Sequence, residues 1–370
     1  SEAAAIRQSD EKYEPVKLKQ DMTKAAEELA FAQESVKALA GSSGRKSVVH
    51  RRAASRLLKL CRENGGVYIK VGQHLAQLDY LIPEEYTEVL SSLFGDTPQT
   101  GYEDVRAVVF EELGKYPEDL FDNFEDSPMA SASLAQVHVA FDKETGRKLA
   151  VKIQHRGLRE TSAGDIFALC SMVRVAERLF ENFTWGWIAD EIAPHLPREL
   201  DFLNEGKNSE RAAANLQKTG LACVIPKVLW THSSPRVLTM EFEEGFNATD
   251  IDAIEKAGLK KHDVAKLISS IFSSQVFLSA FVHCDPHPAN VLLRANKRGK
   301  PEIVLVDHGL YRELDPDFQL RYSKLWKSLM LADLHGIKDA CQSLGVGEAY
   351  TLFAAMLTAR PFDEIIERSK

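Results

Sequence analysis

Cysteine is scarce in this chain of 370 residues: there are five, widely scattered, with no C-x-x-C pair. An odd, dispersed set excludes a disulfide framework and a cysteine-based zinc site, and a reducing interior fits it best. Long apolar runs are missing as well. The longest charge-free stretch, Leu267–Val282, is about sixteen residues and carries several serines, short of the ~20 needed to span a bilayer, so it reads as a buried core helix. Basic clusters are absent. With 46 Lys and Arg against 54 Asp and Glu the net charge is -8, which argues against a nucleic-acid partner, because phosphate contacts need grouped cations. The chain opens at Ser1 rather than Met and stops in a charged stretch, so it reads as a fragment or processed form, with any targeting or membrane segment beyond it.

What is present is enough apolar material, 44% of residues, to build one large domain or two lobes. Residues 1–45 are polar, a solvated helix or flexible tail ending in Gly41-Ser42-Ser43-Gly44. Residues 46–123 have helical periodicity, interrupted by Gly65-Gly66 and Ile82-Pro83. From about Phe124 the texture turns to β: SLAQVHVAF, the turn DKETGR and KLAVKIQ form a hairpin, and CVIPKVLW and RVLTMEF add two strand candidates. These strands and embedded helices make one lobe over 124–245. The rest, 246–370, is mainly helical, with a second hairpin from NVLLRA and EIVLVDH. The fold class is α+β.

The chemistry concentrates in FVHCDPHPANVLLRANKRGKPEIVLVDHGL, Phe281 to Leu310. Asp285 and Asn290 stand at the H-x-D-x-x-x-x-N spacing of kinase catalytic loops, and Asp307 precedes a glycine one hairpin later. Asp285 is the candidate base or acceptor-orienting group, and Asn290 and Asp307 are hard oxygen ligands for Mg²⁺. A rival reading takes His283, Asp285 and His287 as zinc ligands on a strand, against which Pro286 and Pro288 speak. Lys152, in A-V-K-I-Q, can reach the α and β phosphates of ATP, although a lysine there also suits a solubilising edge strand. Glu205 is its candidate ion-pair partner. One hairpin before Lys152, Ala130, Ser131, Ala132 and Ser133 lie where a phosphate-covering loop belongs, with alanine and serine in place of the usual glycines. Glu241 and Phe242, closing RVLTMEF, are counted with the nucleotide-binding residues. Lys70 and Gln73 share a helix face.

Together, K-V-G-Q at Lys70–Gln73, A-S-A-S at Ala130–Ser133, E-L-D at Glu199–Asp201 and HCDPHPAN make the chain resemble the UbiB-type atypical kinase-like family, the aarF-domain-containing kinases, over residues 48–340. D-H-G at Asp307–Gly309 is most like the animal aarF-domain-containing kinase 1 branch. The resemblance implies a protein-kinase-like two-lobed fold with an N-terminal helical extension over the active site. It also implies that Lys70 and Gln73 project into the nucleotide pocket, with Glu199 helping to anchor them. Mitochondria, plastids or bacterial membranes, isoprenoid-quinone and lipid homeostasis, membrane association, and ATPase activity in preference to protein phosphorylation come with it.

After D-H-G the chain runs within a few residues to Asp315-Pro316, a helix N-cap and first-turn proline, with no A-P-E. The platform for a peptide substrate is therefore missing. Three functions compete: a Mg²⁺-dependent ATPase or kinase acting on a small or lipid-linked acceptor, a catalytically silent nucleotide sensor or lipid-binding scaffold, and a small-molecule kinase of the aminoglycoside or choline type. The last leaves the K-V-G-Q extension unexplained.

Overall fold

The computed structural model describes residues 43–78, 81–95, 99–180 and 185–367; most of the expected polar segment 1–45 lies outside them. The principal helices are α1 (Ser43–Asn64), α2 (Gly66–Ala76), α3 (Glu84–Leu90), α4 (Tyr102–Leu113), α5 (Leu158–Leu179), α6 (Phe202–Gln217), α7 (Lys261–Ser274), α8 (Pro316–Met330), α9 (Leu334–Ser343) and α10 (Tyr350–Thr358). The strands are β1 (Phe121–Asp122), β2 (Ala130–Ser131), β3 (Ala135–Asp142), β4 (Lys148–Gln154), β5 (Cys223–Val224), β6 (Val237–Glu241), β7 (Phe246–Asn247), β8 (Phe281–His283), β9 (Val291–Ala295), β10 (Pro301–Leu305) and β11 (Tyr311–Glu313).

The chain forms two compact units. The first comprises the described residues up to Asn204 together with Leu229–Phe242. Its sheet runs β1-β3-β4-β6, all antiparallel, with β2 also on β3. Inward residues of β3, β4 and β6, among them Ala140, Val151, Ile153 and Val237, pack on Val105, Val108 and Val109 of α4. Gly65, at φ 69 and ψ -161, takes a positive-φ conformation open to glycine, which lacks a Cβ, and ends α1 before α2. Gly72 serves close packing: a Cβ there would meet Leu93 Cδ1 at 2.5 Å and Cys61 Sγ at 3.0 Å. The helix that carries Lys70 and Gln73 is thereby pressed against its neighbours.

The second unit comprises Glu205–Val228 and Glu243–Lys370. Its four-stranded sheet has the order β5-β10-β9-β7, with β10 parallel to β5 and antiparallel to β9. A two-stranded β8-β11 ribbon stands separately, and Leu325, Leu329, Ile337, Cys341 and Ala354 form the core of the terminal helices.

Two expectations change. CVIPKVLW yields only the two-residue β5, and that strand pairs with β10 of the second unit rather than joining RVLTMEF. Pro226, which has no N–H to donate, leaves no room for a longer ladder. The stretch Leu267–Val282 is not one buried helix either. It finishes α7, passes through a π-turn at Gln275–Ser279 and ends in β8, and Leu278 is exposed.

Candidate functional site

In the first unit Lys152 sits on β4 opposite Val137 and Leu238, so ladders flank it on both sides. It is no edge residue, which removes the solubilising reading. Its Nζ stands 5.2 Å from the centre of the Phe202 ring, within cation–π range.

Lys70 Nζ lies 2.9 Å from Glu199 Oε2, with side chains 12% and 5% exposed. His74, one helical turn on, brings Nε2 to 3.6 Å from Glu199 Oε1, an ion-pair distance rather than a hydrogen bond. Burial pushes the Glu199 carboxyl toward the neutral form, but the charge of Lys70, with a lesser contribution from His74, outweighs it and holds the group below the usual carboxylate range. Gln73 donates from Nε2 to the Leu93 carbonyl at 2.9 Å and accepts at Oε1 from the Ser133 hydroxyl at 3.3 Å. The K-V-G-Q helix and the alanine-serine segment are thus tied together by a side-chain hydrogen bond.

That segment is held at several points. Ala130 and Ser131 pair with Val137 and Gln136, and the Ala132 amide donates to the Ala135 carbonyl at 2.8 Å. The Ala132 carbonyl accepts from His155 Nε2 at 3.0 Å, leaving His155 Nδ1 to accept from the Thr100 hydroxyl at 2.6 Å. The Gln136 carboxamide grips the Thr100 backbone in both directions, at 2.8 and 3.1 Å. Burial lowers the His155 pKa below its ordinary value, consistent with this neutral arrangement. Thr100, Gln136 and His155 lie in no motif and escaped the reading of the sequence. The one available signal was the pair Gln136 and His138, polar residues on the same face of a strand, both fully buried and hence in need of partners.

Glu241 receives a hydrogen bond from Arg147 at 2.8 Å, the Phe242 amide donates to the Lys148 carbonyl, and the Phe242 ring lies 3.8 Å from Lys148 Nζ. The side chain of Glu241 is therefore engaged by its own sheet.

In the second unit His283 organises the catalytic-loop motif. Its Nε2 donates to the Asp307 carbonyl at 2.7 Å, and its Nδ1 accepts from the Asp285 amide at 3.1 Å. One ring thereby fixes the backbone of both aspartates. Asn290 donates from Nδ2 to the Asp285 carbonyl at 3.1 Å, and its own carbonyl accepts from the Val306 amide at 3.2 Å. Asp307 Oδ1 accepts from the Gly309 amide at 2.9 Å. The buried Glu205 brings Oε1 to 3.5 Å from the His308 amide, and Asn208, one turn further along α6, donates to the His308 carbonyl at 3.1 Å.

His308 is buried. Its Nε2 donates to the Leu305 carbonyl at 3.1 Å, and its Nδ1 accepts from the Tyr311 hydroxyl at 2.9 Å. Burial raises the Tyr311 pKa, so the phenol keeps the proton this bond requires.

No cluster of three His, Cys, Asp or Glu residues suited to a metal occurs among the described residues. The zinc reading of His283, Asp285 and His287 fails on the same ground: His283 uses both ring nitrogens on the backbone, and His287 Nδ1 accepts from the Ala289 amide at 3.2 Å. Magnesium is a different case, since it takes one or two protein oxygens and completes its shell with phosphate and water. With Asn290 Nδ2 spent on Asp285, the Asn290 amide oxygen and the Asp307 carboxylate are hard oxygen donors, and a donor set of this chemistry fits the ion. Among the described residues no helix is long and apolar enough to cross a membrane.

Residues 92–341 match the ABC1 atypical kinase-like domain. A protein of Arabidopsis thaliana named for the ABC1 family is 42% identical over 96% of this chain and 69% of its own length. AarF domain-containing protein kinase 1 of Mus musculus is 46% identical over 87% of this chain, and the Drosophila melanogaster AarF domain-containing kinase 1 is 43% identical over 87%. The chain spans about six-tenths of the length of these two animal relatives, 61% and 62%. Among solved structures, Rv3197 of Mycobacterium tuberculosis, determined as its complex with erythromycin, superposes with a TM-score of 0.51 at 27% identity, covering 80% of this chain and 72% of that one. The mixed helical and sheet architecture with a helical N-terminal region is that of the kinase-like fold. On this evidence the chain belongs to the ABC1 atypical kinase-like family.

Proposed function

We propose that the chain binds Mg-ATP and uses it as an ATPase or phosphotransferase on a small or lipid-linked acceptor rather than on protein. In this reading Lys152, fixed by Glu205, meets the nucleotide phosphates. The segment Ala130–Ser133 covers them, and Glu241 and Phe242 border the nucleotide. Lys70 and Gln73, with Glu199, form the accessory group from the helical extension. Asn290 and Asp307 hold Mg²⁺, which neutralises charge on the transferring phosphoryl group. Asp285 orients the acceptor oxygen or water and takes its proton.

One observation carries the choice of acceptor. Directly after D-H-G the chain folds back as β11 onto β8, with Tyr311 opposite His283, and α8 begins at Pro316. Asp315 caps that helix, accepting from the Asp317 and Phe318 amides. The residues that make a peptide-holding segment in protein kinases are here spent on a ribbon and a cap. The family resemblance adds a setting in mitochondria, with plastids as the alternative, a role in lipid or isoprenoid-quinone homeostasis, and association with a membrane surface.

The experiment is a thermal-shift titration with Mg-ATP joined to an ATP-turnover assay. A ligand at 100 times its Kd stabilises by about 2.7 kcal/mol, a readily measured shift. The parent should shift and turn over ATP, and Asp307→Asn should lose both. No shift in the parent, together with unchanged turnover in Asp307→Asn, defeats the reading. The second reading, a nucleotide sensor or lipid-binding scaffold, is favoured by the engagement of Gln73 with Ser133. It predicts that Asp285→Asn protein rescues a null phenotype.

A further inference from the structure

The two oxygens of the Glu199 carboxylate are provided for unequally. Oε2 meets Lys70 Nζ at 2.9 Å. Oε1 is fully enclosed and has no hydrogen-bond partner among the described residues, and the group beside it is His74 Nε2, 3.6 Å away. An enclosed anionic oxygen is rarely left so. Lys70 and His74 stand four positions apart on α2, so one helical face presents both to the same carboxylate. Gly72 and Gln73 hold that face in place, the first by its fit against Leu93 and Cys61, the second by its bond to the Leu93 carbonyl.

His74 is not sealed in. Its side chain is 18% exposed, so a proton can reach the ring from water. Glu199 is the one acid within ion-pair distance of it among the described residues. Charged groups on the surrounding helices are taken up elsewhere: Glu63 and Arg62 of α1 by Lys59 and the Ser92 hydroxyl, and Glu88 of α3 by Arg51. On α5, Arg174 meets Asp190 and Glu177 accepts from the Gly186 amide. The Cys61 thiol, pushed up to about 12 by burial, is neutral. The proton on His74 is therefore opposed by the charge of Lys70 and favoured by that of Glu199.

We propose that His74 is the reserve partner of Glu199, a positioning residue that replaces Lys70 when the lysine turns to nucleotide phosphate. The imidazole takes one proton from solvent, which makes both ring nitrogens donors whichever tautomer preceded it, and Nε2 then donates to Oε1. Without this exchange, departure of Lys70 would strand a buried carboxylate, the costly half of a broken ion pair. Nucleotide binding is thereby coupled to proton uptake. That coupling rests on the proposed function; the exchange of partners at Glu199 does not.

The test titrates the full chain, carrying ¹³C-labelled histidine, by NMR without nucleotide, with the His74 signal assigned by its loss in His74→Gln. Lys70→Met imitates departure of the lysine and should raise the His74 protonation constant at least tenfold. Glu199→Gln should lower it at least fivefold. Adding Lys70→Met to Glu199→Gln should raise it at least threefold less than the same change does in the parent, because the carboxylate that favours the proton is gone. Where Lys70→Met does not fold, the fall in Glu199→Gln decides alone. An unmoved constant in the single variants, or equal rises with and without Glu199, overturns the exchange.

Saturating Mg-ATP should raise the same constant at least threefold in the parent. The Kd of His74→Gln for Mg-ATP, divided by that of the parent at the same pH so that the nucleotide's own titration cancels, should grow at least fivefold from about pH 8.5 to about pH 6, across the ordinary histidine range. A merely structural role for the ring gives a constant ratio. An unmoved constant and a constant ratio in a parent that binds Mg-ATP overturn the coupling. A parent that shows the exchange but binds no Mg-ATP defeats the nucleotide reading and leaves the exchange standing.

Discussion

The ammonium of Lys70 and the carboxylate of Glu199 meet at 2.9 Å with almost no water around either. An ion pair at that depth is expensive to form and more expensive to halve. Glu199→Ala should lower stability by about 3–5 kcal/mol in urea unfolding. The double change Lys70→Met with Glu199→Leu should return it close to the parent, because no lone charge remains. The folded-state carboxyl is held below its unfolded value, so its contribution is full above the ordinary carboxylate range and vanishes as pH falls through the lower folded value. Unfolding curves of the parent and Glu199→Gln should therefore converge in acid; a gap that persists there would count against the pair.

The hydroxyl of Ser133 is the link between the alanine-serine segment and Gln73. Ser133→Ala should cost about 1 kcal/mol, the ordinary worth of one hydrogen bond, whereas Ser131→Ala should cost less, its position being only half-buried. Equal losses in the two variants would show that the link contributes nothing of its own.

A third expectation concerns acid. The His155 pKa is depressed by burial, and the neutral ring bridges Thr100 and Ala132. Its contribution is present above the unfolded pKa of about 6.5 and is lost as pH falls through the lower folded value. The buried His138 has the same sign. Melting temperature should decline as pH drops below about 6.5, and less steeply in His155→Gln. An identical slope in that variant would place the pH dependence elsewhere.

His308 occupies a position at which kinases commonly carry phenylalanine. Here His308→Phe should not be neutral, because it orphans the buried Leu305 carbonyl and the Tyr311 hydroxyl at about 1–3 kcal/mol for each group left unsatisfied. The companion change Tyr311→Phe should recover part of the loss. Stability of His308→Phe equal to the parent would refute the account.

Much of this was legible in the chain. The hairpin of β3 and β4, the hairpin of β9 and β10, the Asp315 cap and the α1-α2 break at Gly65 follow from alternation, turn residues and caps, all short-range signals. The K-V-G-Q helix was visible too, but not the reason for its glycine, which lies in the approach of Leu93 and Cys61. The Thr100-Gln136-His155 network was out of reach, since it depends on which distant backbone groups a buried side chain meets. The fate of β5 was misread for the same reason: its partner lies in β10, and nothing local to CVIPKVLW identifies it.

That parallel pairing of Cys223 and Val224 with Ile303 and Val304 has a practical corollary for dissecting the protein. A fragment begun at Glu243, where the chain re-enters the second unit, would strip β10 of a neighbour and leave an unpaired edge next to buried apolar side chains, a template for self-association. Any excised second unit needs Glu205–Val228 supplied with it, by circular permutation or as a co-expressed peptide.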